Sequence, residues 1–239
     1  MKDKIFGSFR EAVSDIPDGA VIMIDGFGGP GGCPQNLILA LKEHGAKDLT
    51  IIGNTVGLGP AFGSPGGKPY VDANVLVENG QVKKAIASFP FPATSAVYSP
   101  FEKLYREGKV ELELVPQGTL AERIRAGGVG IGAFYTPTGV GTIVEKGKEK
   151  RVIDGREMLL EYALKADYAL IRAYKADKMG NLIYKGTSRS FNPLMAMAAR
   201  ITIVEVDEIV EVGELDPEVI VTPCIFVDRI VRIPPDGLK

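Results

Sequence analysis

With 239 residues, 45% of them apolar, the chain can bury about 70–75% of the surface its unfolded form would expose, so residues 1–239 are expected to form a single domain around one substantial core. Its 28 basic and 30 acidic side chains give a formal net charge of −2 and are spread along the whole length, which leaves no basic stripe for nucleic acid and no acidic tail. Two cysteines and one histidine are too few for a disulfide scaffold or a Cys/His zinc centre.

After Met1-Lys2-Asp3-Lys4, the residues Ile5, Phe6, Phe9 and Val13 recur at helical spacing among polar neighbours. No secretory apolar stretch or membrane span follows, and the expected location is the cytoplasm. The first strand signal is Ala20-Val21-Ile22-Met23-Ile24, preceded by the turn residues Pro17-Asp18-Gly19; an unbroken apolar run is buried on both faces and implies a parallel sheet. Leu37, Ile38, Ala40 and Leu41 then form a helical stripe ended by Gly45, and Leu49-Thr50-Ile51-Ile52 is the next strand, completing a βαβ unit. Residues 58–74, rich in Gly and Pro without a period, predict a loop of the kind that lies over a pocket. Val110-Glu111-Leu112-Glu113-Leu114 predicts a strand with one exposed face, and Thr119 with Glu122 a capping box opening a helix over 120–126. The second half repeats the alternation, with a helix over 156–164, a strand over 168–173, a turn at Gly180-Asn181, a helix over 193–199 and a strand over 201–206. The class is α/β with one open sheet.

The densest glycine segment runs Asp25-Gly26-Phe27-Gly28-Gly29-Pro30-Gly31-Gly32-Cys33-Pro34-Gln35-Asn36, between a buried strand and a helix. Glycines let backbone amides approach a ligand, and the helix start favours phosphate or carboxylate; a tight connection without a ligand is the alternative. Gly26, Gly28 and Gly31 also satisfy the dinucleotide pattern, but the next strand leads into Gly53-Asn54-Thr55 with no acidic residue for a ribose, which sets a nicotinamide dehydrogenase aside. Asn54, at that strand's carboxyl end, is either a turn residue or a ligand contact in the strand-end crevice. Gln117, in Pro116-Gln117-Gly118-Thr119, can offer a donor and an acceptor to the same crevice or be a solvated loop residue. The run from Gly127 to Gly139, which includes Tyr135 and Thr136, is a second glycine-rich, hydroxyl-bearing loop that either wraps a substrate or connects elements. His44 reads as a surface residue favouring the negative helix end, and Cys33 as a small buried thiol.

Five segments carry a resemblance. They are Gly26-Phe27-Gly28 through Pro34-Gln35-Asn36-Leu37-Ile38, Gly80-Gln81-Val82-Lys83-Lys84, Pro116-Gln117-Gly118-Thr119-Leu120-Ala121-Glu122-Arg123-Ile124-Arg125-Ala126-Gly127-Gly128, Ala133-Phe134-Tyr135-Thr136-Pro137-Thr138-Gly139, and Lys175-Ala176-Asp177 through Phe191-Asn192-Pro193-Leu194-Met195-Ala196. In order and nearly end to end, they resemble the alpha subunit of the family I coenzyme A transferases of the 3-oxoacid (succinyl or acetoacetate) type. The resemblance implies a three-layer α/β/α sandwich with an open, mostly parallel sheet, the ribose-5-phosphate-isomerase-like CoA-transferase fold. It also implies a partner beta subunit carrying a catalytic glutamate, and ping-pong transfer of CoA between an acyl-CoA and a carboxylic acid through a glutamyl-CoA thioester. No permanently bound cofactor is expected, CoA being a substrate.

On the same ground, Gly26, Phe27, Gly28, Gly29, Pro30, Gly31 and Gly32 are the expected CoA-binding residues. Gln117 is expected beside the reacting carbonyl in a supporting catalytic role, and Asn54, Gln117, Tyr135 and Thr136 are expected to line the substrate pocket. Glu78-Asn79-Gly80 looks like the family's Ser-Glu-Asn-Gly motif, but that motif belongs to the beta chain and Val77 precedes the glutamate here, so Glu78 is read as a decoy. The sequence also departs from the family pattern: Gly-Gly-Phe-Gly begins as Asp25-Gly26, the loop is one residue longer, and Thr55 stands for a second asparagine. Residues 58–99 match poorly apart from the Gly80 block, so the acyl group need not be succinate or acetoacetate. The competing class is a ligand-binding or sugar-phosphate-isomerase-like module of the same fold, which would need an acid/base pair that the sequence does not offer.

Overall fold

The computed structural model describes residues 3–27, 32–57, 59, 70–92 and 98–238. In chain order the elements are α1 (Phe9–Ala12), β1 (Val21–Ile24), α2 (Gln35–His44), β2 (Leu49–Gly53), α3 (Asn74–Glu78), β3 (Val82–Ala87), α4 (Pro100–Arg106), β4 (Glu111–Leu114), α5 (Gln117–Val129), β5 (Ala133–Thr136), β6 (Lys150–Ile153), β7 (Arg156–Tyr162), β8 (Ala166–Asp177), β9 (Leu182–Ile183), α6 (Asn192–Ala198), β10 (Ala199–Val210) and β11 (Arg229–Arg232).

The main sheet has the order β11-β10-β8-β1-β2-β3-β4, with β9 added to β8. Every neighbour on that path is parallel, and only β9 runs antiparallel. Buried side chains alternate between its faces, as the pleat requires. Ile22, Ile24 and Ile51 face a core with Ala12, Leu37, Leu41, Leu76 and Phe101 of α1 to α4. Met23, Ile52 and Ile86 face Leu120, Ile124, Met195 and Ala196 of α5 and α6. Helices therefore cover both faces, giving the three layers. β1 lies between β2 and β8, so the winding direction reverses there, and the strands' carboxyl ends open a crevice at that point. Among the described residues no helix is long and apolar enough to cross a membrane.

Four expectations need correction. Residues 156–164 are not a helix: β7 pairs antiparallel with both β5 and β6, so a second, three-stranded sheet accompanies the open one. The cause is the two-residue turn Asp154-Gly155, both at positive φ (49° and 73°), which returns the chain from Ile153 to Arg156 in the geometry that an Asp-Gly hairpin favours. The Thr119/Glu122 capping box does not form either. α5 starts at Gln117 with no side-chain cap, Thr119 lies buried within the first turn, and Glu122 pairs with Arg125. The run from Gly127 is not one loop but the end of α5 followed by β5. A Cβ on Gly127 would lie 1.9 Å from the Leu164 carbonyl oxygen, so glycine there lets α5 press on the chain entering β8. Finally, β4 lies at the sheet edge, with both Glu111 and Leu114 exposed, rather than showing one clean solvent face.

Gly127→Ala should therefore force α5 away from Leu164, at a cost of about 1–3 kcal/mol as for other overpacked sites. Thermal unfolding of the variant should show a clearly lowered midpoint, whereas Gly118→Ala, at a position with nothing within 4 Å of the added carbon, should not.

Candidate functional site

Four strand ends build the crevice. Asp25-Gly26-Phe27 follow β1, Asn54-Thr55 follow β2, Ser88-Phe89 follow β3, and Val115-Pro116 lead from β4 into Gln117. Asn54 O accepts the amides of Ser88 (3.2 Å) and Phe89 (2.8 Å), and Ala87 O accepts that of Val115 (3.0 Å). A Cβ on Gly26 would lie 3.6 Å from Thr55 Oγ1, so these two residues are neighbours. The structure thus brings Gly26, Asn54 and Gln117 to one edge. Asn54 is 6% exposed, and among the described residues its Oδ1 has no hydrogen-bond partner, like the hydroxyls of Ser88 and Thr119. Buried polar atoms seldom stay unpaired, and along the strands Asn54 and Ser88 continue the α5-facing alternation of Ile52 and Ile86.

The helix starts at this edge are unequal. Glu205, fully buried on β10, accepts the first-turn amides of α2, those of Asn36 and Leu37 (both 3.0 Å), together with Asn36 Nδ2 (3.2 Å) and Arg172 (3.2 Å). The start of α2, expected from the sequence to receive a ligand anion, is therefore occupied by the protein's own carboxylate. Asp25 does the same for α6, accepting the amides of Phe191 (2.9 Å) and Asn192 (3.0 Å). Ser8, Asp72 and Ser99 accept first-turn amides of α1, α3 and α4. Among the described residues, α5 alone has no such acceptor. Among the described residues the amides of Gln117, Gly118 and Thr119 have no partner, and Gln117 and Gly118 are exposed. Uncapped amides and the positive end of the helix dipole leave a place for negative charge.

The other expected residues fall elsewhere. Gly28, Gly29, Pro30 and Gly31 lie outside the described residues. Tyr135 and Thr136 sit on β5 in the antiparallel sheet; the Tyr135 hydroxyl donates to Glu149, the Arg151 guanidinium lies over its ring at 5.0 Å, and Thr136 Oγ1 accepts the Thr138 amide (3.2 Å). None of these contacts reaches the crevice. Glu78 ends α3, exposed, at the amino side of β3 and so at the opposite edge of the sheet. His44 binds the Ile16 carbonyl at 2.8 Å. Cys33 is fully buried, and burial pushes its thiol pKa up, which disfavours the reactive thiolate. Among the described residues no group of three or more His, Cys, Asp or Glu side chains could hold a metal ion.

The comparisons decide the family. The Coenzyme A transferase family model matches residues 6–232. This chain belongs to the coenzyme A transferase family. The chain is 50% identical over 233 residues to the A subunit of the 3-oxoadipate CoA-transferase of Pseudomonas putida, covering 98% of this chain and 95% of that one. It is 46% identical over 235 residues to the alpha subunit of the acetate CoA-transferase of Escherichia coli (strain K12), covering 97% of both. The crystal structure of an acyl-CoA transferase from E. coli O157:H7 in thioester complex with CoA superposes with a TM-score of 0.78 at 24% identity, over 99% of this chain and 48% of that one. The fold of this CoA-transferase chain is accordingly the one that its sequence resemblance implied.

The buried carboxylates set a pH dependence. Burial raises Glu205 from its ordinary 4.5 to about 7, against the opposing pull of Arg172 and the α2 amides. The folded chain then holds this proton more tightly than the unfolded one, so the stability it contributes is fully present below about pH 4.5 and is lost as pH rises toward 7. At ~1.4 kcal/mol per pH unit, the wild type should lose on the order of 3 kcal/mol relative to Glu205→Gln between pH 4.5 and 8. Urea midpoints of both proteins across that range check this.

Proposed function

We propose that this chain is the alpha subunit of a heteromeric CoA-transferase that moves CoA between an acyl-CoA and a short-chain or 3-oxo carboxylic acid, with the attacking glutamate supplied by the beta subunit. The observation that carries this reading is the inequality of the helix starts. The two carboxylates at the crevice, Asp25 and Glu205, are each held by four donors inside the protein, whereas α5 offers three open amides beside Asn54 and Gln117. Such an edge can stabilise negative charge, and among the described residues its own carboxylates, Asp25 and Glu205, are both engaged in the fold.

In the reaction, a partner carboxylate adds to the thioester carbonyl and CoA leaves as the thiolate. The thiolate then attacks the carbonyl on the glutamate side of the resulting anhydride, releasing the first acid and leaving glutamyl-CoA; the second acid takes CoA by the reverse sequence. Each addition puts charge on a carbonyl oxygen. Open amides of α5 with the Asn54 and Gln117 side-chain amides are suited to that charge, and Gly26, Phe27 and Gly32 to a close approach of CoA. The relatives' names point to 3-oxoadipate and acetate as the first acids to try. The expected cytoplasmic location belongs to the same reading.

The isolated chain should show no CoA transfer and should gain it when mixed with its beta partner; transfer by the chain alone would overturn the assignment. In the reconstituted enzyme, Gln117→Ala should lower kcat about 10²-fold, as loss of one oxyanion donor does, and Glu78→Ala should leave it unchanged. Gly26→Ala fits the free fold, the added carbon making only an ordinary contact with Thr55. A rise in KM for acyl-CoA of roughly tenfold, with an unchanged unfolding midpoint, would therefore report the ligand's approach to that backbone.

A further inference from the structure

We infer that Asp25, Ser190 and Asn192 form a clamp that fixes the ends of the glycine segment and thereby sets the affinity for acyl-CoA; this rests on the reading that the segment meets CoA. Asp25 Oδ1 accepts the Phe27 amide at 2.9 Å, while Oδ2 accepts the amides of Phe191 and Asn192 and the Ser190 hydroxyl. From the other side, Asn192 Nδ2 donates to Gly32 O at 2.9 Å and to Ser188 O at 2.8 Å, and its Oδ1 accepts the Arg172 amide at 3.0 Å. One turn, residues 188–192, thus holds both described ends of the segment.

Those ends also meet each other. A Cβ on Gly32 would lie 3.3 Å from Phe27 O and 3.5 Å from both Ser188 Cα and Ser190 Oγ. The Phe27 ring, 43% exposed, stands edge-on against buried Phe191 with centroids 6.1 Å apart. Asp25 is 0% exposed, and a carboxylate so placed is tolerated only if its donors stay in position, which makes it a rigid hub rather than a reactant. It touches no reacting atom; its role is positioning.

The test uses the enzyme reconstituted with its beta partner, in which ping-pong kinetics give separate KM values for acyl-CoA and acid. Ser190→Ala removes one donor without emptying a core site. It should raise KM for acyl-CoA roughly tenfold, about the worth of a hydrogen bond to a charged group, leave kcat and KM for the acid within about twofold, and speed amide exchange at Phe27. Ser190→Thr keeps the hydroxyl and should restore both the KM for acyl-CoA and the exchange rate at Phe27. Asp25→Asn should act in the same direction and more strongly, and the Ser190 pair carries the test if that variant does not fold. Unchanged exchange at Phe27 would show that no clamp exists. Faster exchange with an unchanged KM for acyl-CoA would instead overturn the assignment of the segment to CoA, and with it this inference. A parallel change in kcat and both KM values would mark a general structural effect and likewise overturn it.

Discussion

The arrangement depends on one buried ion pair. Arg172 of β8 and Glu205 of β10 stand directly opposite each other in register, 3.2 Å apart and almost wholly out of water. Taking two such charges from solvent costs several kcal/mol each, and their attraction offsets this only where the remaining valences are also met. Here they are: Glu205 receives the start of α2 and the Asn36 side chain, and Arg172 also reaches Asp207. The Arg172 amide then hands the network across the sheet to Asn192, at the start of α6. One cross-strand pair therefore sets where a helix on each face begins relative to the point at which the winding reverses.

That constraint explains where a ligand's charge can go. A helix start concentrates unpaired amides and partial positive charge, so a carboxylate placed there by the fold removes the site from competition. Glu205 and Asp25 do this at α2 and α6. Among the described residues α5, a helix of 13 residues, keeps its first turn open, and the oxygens of Asn54, Ser88 and Thr119 without a partner lie on the sheet face it covers. The glycine segment before α2 reads in the sequence as an anion cradle, yet the first-turn amides of α2 are bound by Glu205.

The sequence is informative wherever one element decides its own fate. The apolar runs of β1 and β2 and the stripe of α2 are legible because burial alone fixes them. Asn54 and Gln117 are site candidates through motif order, and the crevice indeed collects them. The region around Leu159 is misleading because Met158, Leu159 and Leu160 fit a helix as well as a strand; the signal that separates the two is the Asp154-Gly155 turn. Tyr135 and Thr136 are candidates by motif alone, and their hydroxyls are engaged on a different sheet. The Arg172–Glu205–Asn192–Asp25 network leaves a trace, two opposite charges interrupting the runs Leu170-Ile171-Arg172-Ala173 and Ile203-Val204-Glu205-Val206. Partners up to 169 residues apart cannot be assigned from spacing, however, and so the use of both carboxylates as caps is visible only in three dimensions.

Asp25 joins these arguments. A loop with five glycines between positions 26 and 32 admits close approach of a ligand but has much conformational entropy to lose on binding. Holding its ends beforehand reduces that loss, and a carboxylate does so more firmly than the glycine that stands at this position in the loops it resembles, because one group can receive four donors. Three of those donors converge on Oδ2 and one on Oδ1, which commits the carboxylate to holding the chain. The carboxylate that ties Phe27 to the start of α6 thus serves the fold, as Glu205 does at the start of α2.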